Sequence, residues 1–304
     1  MNVKKEKERR TGGRVTPLLA AVLFLVGAAV LLYPAVSNYL AEKNQAVVVQ
    51  NYEQAVQENN KEALEEEWRK AEVYNESLAG DPVKDPFVPG SGYALPQNYQ
   101  DVLNIEGVMG YVEIPKIDVK LPIYHGTTEE VLEKGVGHIE STALPIGGAY
   151  RHTVLTGHRG LPSAELFTRL DELKKGDIFL IHVLDQTHAY KVDQIKTVLP
   201  SQLEDIQAVE GRDLVTLLTC TPYGINTHRL LVRGERTEYV PEEMKSEGGA
   251  SLLDSLFNGK WQYIGILLGL FLLLIGFLIW RMKEAKRKQG GRHGRNKRKN
   301  RKRQ

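Results

Sequence analysis

The 304-residue sequence predicts a mainly β domain, a closed or nearly closed β-barrel with short helices. An N-terminal helical segment precedes it, and two transmembrane helices flank the whole. Three observations carry this prediction. Short runs rich in Val, Ile, Leu and Thr recur across residues 107–239, each bounded by Gly, Pro or Asp. Two charge-free apolar stretches, residues 17–36 and 261–280, match the length of roughly 20 residues that a bilayer-crossing helix needs. The charges are also segregated. Residues 1–16 carry six Lys/Arg and two Glu, residues 281–304 carry thirteen Lys/Arg and one Glu, and the segment between holds 21 basic against 35 acidic residues.

Both basic ends flank an apolar stretch, so the positive-inside rule places both termini in the cytoplasm and the acidic centre outside. Trp261, Tyr263 and Trp280 sit where interfacial aromatics are expected. The first stretch could instead be the core of a cleaved signal peptide. It is longer than the usual apolar core of about 7–15 residues, which favours a retained anchor. The basic tail 281–304, next to a span, reads as a topology signal and a contact for anionic membrane lipids rather than for nucleic acid.

Residues 42–80 are dominated by helix formers and read as one or two helices. Leu64, Trp68 and Ala71 share one face at helical spacing and are expected to pack on the domain that follows. Residues 81–96 hold four prolines and read as a loop. Strands are expected at 108–114, 117–123, 152–158, 177–184, 189–199, 213–220 and 229–233. Short helices are expected at 128–134 and at 163–173, the latter with Ser163 as N-cap. Many short strands with few helices favour a barrel. Residues 240–260 read as a linker to the second span.

The sequence contains one cysteine, Cys220. Outside the cell it cannot form an intramolecular disulfide. It is either a buried inert thiol or a reactive one. It ends a strand, with Pro222 and Gly224 following at once, which places the thiol at a barrel rim. A thiol nucleophile needs a base or cation to ionise, a group to protonate the leaving amine and a donor for the oxyanion. Arg229 lies nine residues on, at the start of the next expected strand; a short antiparallel hairpin would bring the two rims together, although Arg is usually a solvated surface residue. His158 lies between Gly157 and the Arg159-Gly160 pair at the end of an expected strand, where glycine permits a sharp turn; by itself it reads as a loop histidine. His182 and His188 flank an expected hairpin, but no Cys or carboxylate cluster completes a metal site, and no metal or other cofactor is expected.

These segments together resemble the sortases. Thr216-Leu217-Leu218-Thr219-Cys220 is similar to the sortase TLxTC signature, and Thr156-Gly157-His158-Arg159-Gly160 to the histidine segment. Thr221-Pro222-Tyr223 through Asn226 to Arg229 and Leu230-Leu231-Val232-Arg233-Gly234 resembles the continuation found in class C, the pilin-polymerising sortases. The resemblance implies an eight-stranded barrel over residues 107–239. It also implies Cys220 as nucleophile, His158 as general acid/base and Arg229 as stabiliser of the substrate carbonyl and oxyanion. Thr219 and Thr221, either side of the cysteine, are carried as substrate contacts. Asp85-Pro86-Phe87 is similar to the class C lid, in which an acidic residue pairs with the arginine and an aromatic covers the thiol; otherwise it is a Pro-rich linker. The expected partners are pilin subunits with an LPxTG-like sorting signal and an acceptor lysine. The alternatives are a sortase of another class that anchors proteins to peptidoglycan, and a non-catalytic surface barrel.

Overall fold

A computed structural model describes residues 4–78, 98–202 and 204–239, together with Gly265, Gly269, Phe271, Leu273, Gly276 and Phe277. The chain divides into two compact units, Met1–Leu32 with Ala250–Gln304, and Tyr33–Gly249.

The first unit contains the apolar N-terminal segment, which lies in helix α1 (Lys4–Glu58). Among the described residues, α1 is the one helix long and apolar enough to cross a membrane; 18 successive residues within its Val22–Glu58 part have a mean hydropathy of 1.7 and are almost wholly exposed. The six described positions between 265 and 277 are helical, and the rest of the second apolar stretch lies outside the described residues.

The second unit is an eight-stranded closed barrel with two helices docked on it. The strands are β1 (Gly110–Ile114), β2 (Val119–His125), β3 (Val136–His138), β4 (Arg151–Thr156), β5 (Ile178–Val183), β6 (Gln186–Val198), β7 (Asp213–Thr221) and β8 (His228–Thr237). They close in the order β1-β2-β3-β4-β7-β8-β6-β5, with β2/β3 and β4/β7 parallel and the other pairs antiparallel. Closure leaves no unpaired sheet edge. Helix α2 (Lys61–Ser77) starts on an Asn60 cap whose side chain accepts from Ala63 N, a bond worth about 1 kcal/mol. The short α3 (Glu129–Lys134) is capped in the same way by Thr128, where the sequence predicts a helix.

Val49, Tyr52 and Val56 of α1 and Leu64, Ala71 and Tyr74 of α2 are buried in one apolar cluster with the barrel. Each large apolar side chain so buried contributes roughly 1.5–3 kcal/mol. Trp68 packs against the same cluster, so the helical face read from spacing is the docking face. The Tyr52 hydroxyl satisfies two backbone groups, donating to Met109 O and accepting from Leu184 N at 2.6 Å. Burial raises its pKa well above the usual tyrosine value.

Two expectations change. Residues 163–173 form turns and one 3-10 turn, Leu170–Glu172, rather than an α-helix. Their backbone groups are used elsewhere: Glu165 N donates to Asn38 Oδ1 of α1, Ser163 O accepts from Ser37, Phe167 N donates to His158 O, and Leu166 has φ of 43°. Tertiary partners for these groups outcompete the i to i−4 ladder. The short strand β3 has no alternating pattern to announce it. It depends on Gly137, where a Cβ would lie 2.4 Å from Gly126 O.

Strand β8 runs beyond the expected 229–233 because Gly234 clears the buried rings of Phe179 and Tyr190. A Cβ there would sit 2.6 Å from Phe179 Cε1 and 2.9 Å from Tyr190 Cβ, and neither ring has exposed space to move into. Gly234→Ala is therefore expected to destabilise the barrel by about 1–3 kcal/mol. An unchanged thermal midpoint would show that the core yields freely.

Candidate active site

Parallel pairing of β4 with β7 carries both strands to the same rim, and antiparallel β8 starts from that rim. Cys220, the penultimate residue of β7, pairs directly with Arg229, the second residue of β8. Thr156, the last residue of β4, pairs with Leu218 of β7, so Gly157 and His158 emerge beside the end of β7. The three residues singled out from sequence thus come from three neighbouring strands at one end of the barrel. Cys220 is 8% exposed and Arg229 5%.

The β7–β8 connection is a tight turn. Thr221-Pro222 is a cis peptide, Pro222 O accepts from both Ile225 N and Asn226 N at 3.0 Å, and Asn226 has φ of 61°. Arg229 Nη1 donates to the carbonyls of Asn226 and His228, at 3.2 and 3.3 Å, which fixes one edge of the guanidinium.

The histidine segment is held on both sides. Thr219 Oγ1 donates to Gly157 O at 2.7 Å, and Phe167 N donates to His158 O at 3.1 Å. His158 Nε2 lies 3.5 Å from Glu129 Oε1, at the first turn of α3. No motif or spacing points to that carboxylate, because α3 reaches the rim only through the fold. Arg159 spans the turn: Nε donates to Thr168 O at 3.2 Å, Nη1 to Thr221 Oγ1 at 3.1 Å, and Nη2 to Asp171 Oδ2 at 2.5 Å. Gly160, at φ of 80°, lies under Tyr223, where a Cβ would be 3.0 Å from the ring.

Thr219 is fully buried, and its hydroxyl is engaged within the chain. Thr221 is half-buried and accepts from Arg159. Asp85, Pro86 and Phe87 lie outside the described residues. His182 pairs with Glu113 at 3.2 Å and stacks on Tyr111, while His188 is buried against Trp68. Among the described residues, no group of three or more His, Cys, Asp or Glu is arranged to hold a metal ion.

Three comparisons bear on this rim. The family model described as the sortase domain matches residues 112–237. Sortase C of Streptococcus pneumoniae is 49% identical, with a TM-score of 0.59 over 63% of this chain and 97% of that one. Sortase C1 of Streptococcus agalactiae is 44% identical, with a TM-score of 0.61 over 66% and 99%. Sortase A of Bacillus anthracis is 27% identical over 73% of this chain and 94% of that one. Fold and likeness together define a cysteine transpeptidase. The chain belongs to the sortase family, and its likeness is to sortases of class C.

Proposed function

We propose that this transpeptidase polymerises pilins: it cleaves an LPxTG-like sorting signal through a thioacyl-enzyme on Cys220 and passes the acyl group to a lysine of a second pilin. One observation supports the reading most, the direct pairing of Cys220 with Arg229 beside the His158 turn. The neighbours support it as well, since the S. pneumoniae sortase C structure is described in terms of pilin substrate specificity, and a related sortase C1 belongs to a pilus island.

The chemistry balances in two steps. The Cys220 thiolate attacks the Thr carbonyl, Arg229 donates to the oxyanion, and the amide C–N bond breaks as His158 gives its proton to the departing amine. The acceptor lysine, losing a proton to His158, then attacks the thioester. An isopeptide bond forms, the thioester C–S bond breaks, and the thiolate and protonated His158 are regenerated. Thr221, half-exposed beside the nucleophile, is the flanking threonine that a substrate reaches.

The test is mass spectrometry of the purified chain with a sorting-signal peptide. The expected adduct is a hydroxylamine-labile acyl group on Cys220, transferred to a pilin lysine in preference to a peptidoglycan-type amine. Absence of any adduct would overturn the reading, and preference for the cell-wall amine would replace it with surface-protein anchoring.

The reading includes a cover at Asp85-Pro86-Phe87, which rests on the resemblance and on the pairing of a carboxylate with Arg229 that it implies. Phe87→Ala is then expected to speed alkylation of Cys220 by a small thiol reagent several-fold; an unchanged rate would leave residues 81–96 as a linker. The proposed placement is a two-pass membrane protein with both termini cytoplasmic and the barrel outside. It is supported by the apolar stretch in α1, the second apolar stretch and the two basic ends.

A further inference from the structure

The residues either side of Cys220 are bonded to the residues either side of His158. Thr219 Oγ1 donates to Gly157 O at 2.7 Å, and Thr221 Oγ1 accepts from Arg159 Nη1 at 3.1 Å. Two strand ends that meet only through parallel pairing are therefore cross-tied on both flanks of the reacting pair. We infer that Arg159 is a positioning residue, and that its guanidinium, with Thr221, closes a bracket that fixes His158 against Cys220. The inference deepens the proposed transpeptidase chemistry and rests on it for the roles of those two side chains.

Arg159 is built for this task. Its side chain is 10% exposed, and its three donating nitrogens reach three separate segments: Thr221 at the end of β7, Thr168 O, and Asp171 in the 3-10 turn. The planar fork holds all three directions at once, which a lysine ammonium does not. Thr168 returns the support, its hydroxyl accepting from Gly160 N at 3.1 Å. The turn 157–160 is thus tied at every residue, by Thr219, Phe167, Thr221 and Thr168 in order. Thr219 has no exposed surface for a substrate, so its hydroxyl serves the bracket.

A slip of about 1 Å between reacting groups costs on the order of 10²-fold in rate. The experiment uses the full chain with Arg159→Ala, Thr221→Val, their double variant and Thr221→Ser. The readouts are acylation kinetics with a sorting-signal peptide, the pH midpoint of Cys220 alkylation by iodoacetamide, and thermal unfolding. The expected results for Arg159→Ala and Thr221→Val are about 10²-fold lower kcat for acylation and an alkylation midpoint moved up toward the free-thiol value of about 8.5. For Arg159→Ala, KM should stay within about twofold. Thr221→Ser keeps the hydroxyl and recovers most of the loss. In the double variant the alkylation midpoint, which no substrate contact affects, is no higher than in Arg159→Ala alone, because that change already removes the bond that Thr221→Val removes.

Wild-type kcat and midpoint in the single variants, whatever their thermal stability, would overturn the inference, and so would midpoint shifts that add in the double. The alkylation arm needs no substrate. A wild-type chain that forms no thioester yet shows the midpoint shift in the variants would sink the transpeptidase reading and keep the bracket; thioester formation without the shift would sink the bracket alone.

Discussion

Cys220→Ala is expected to abolish the acyl adduct, and Arg229→Ala to slow its formation by about 10²–10³-fold, equivalent to about 2.7–4 kcal/mol of transition-state stabilisation. The sequence contains no other cysteine to take over. The effect expected at Arg229 follows from where the side chain is held. It faces Cys220 across the β7–β8 ladder, is 5% exposed, and has one nitrogen anchored on the carbonyls of Asn226 and His228. A donor held in that way pays no reorganisation cost when charge develops on the substrate oxygen, and water does not screen it as it would a surface cation. Arg229→Lys keeps the charge but not the fork, and is expected to recover only part of the rate. Single-turnover acylation followed by mass spectrometry checks both variants. An adduct in Cys220→Ala would remove the cysteine from the mechanism, and a wild-type rate in Arg229→Ala would return the arginine to a packing role.

The second large effect is loss of stability in mild acid. His138 and His152 are buried, and burial is the main cause that pushes each down to about 4. His138 is enclosed by Tyr99, whose hydroxyl contacts Nδ1 at 2.9 Å, and by Ala143 O, which accepts from Nε2; nearby His125 pushes it down further. His152 donates to Gln207 O and accepts from Thr216 Oγ1, and the charges of Arg233, Asp193 and Arg212 act on it in opposite senses.

Both rings are neutral in the fold and protonate readily in the unfolded chain near 6.5. Between about 6.5 and 4 the unfolded state binds more protons, so stability is complete above that window and falls as pH drops through it. Each ring accounts for about 3 kcal/mol over the full window. Together they remove about 6 kcal/mol from a total of typically 5–15 kcal/mol. His188, also held near 4, acts in the same direction. Unfolding midpoints of the purified chain from pH 7.5 to 4 should fall steeply, and His152→Gln should flatten part of that slope. A flat profile would mean that these rings protonate within the fold at no cost.

Much of the barrel was legible in the sequence because its strands are short, β-branched and bounded by turn residues. Seven of the eight strands overlap the expected runs. The exception, β3, is three residues long and contains Gly137, too short and too small to show a period. The same limit explains residues 163–173, where helical spacing is real but the amide groups are claimed by α1 and by His158. At the rim, the hairpin logic linking Cys220 to Arg229 needed only a strand end and a short loop, both visible in the order of residues.

The amino-acid order by itself determined the lone cysteine and its place at a strand end, the basic ends and apolar stretches, and the motifs that resemble sortases. Those are local or compositional properties, set by residues near one another in the chain. Only the tertiary structure decided which distant residues share the rim. Parallel pairing of β4 with β7 joins positions about sixty residues apart, so that Gly157 meets Thr219 and Arg159 meets Thr221. Glu129 reaches His158 from a helix that no spacing rule connects to it. Such contacts depend on the register of a closed sheet, and that register is a property of the whole barrel rather than of any one segment.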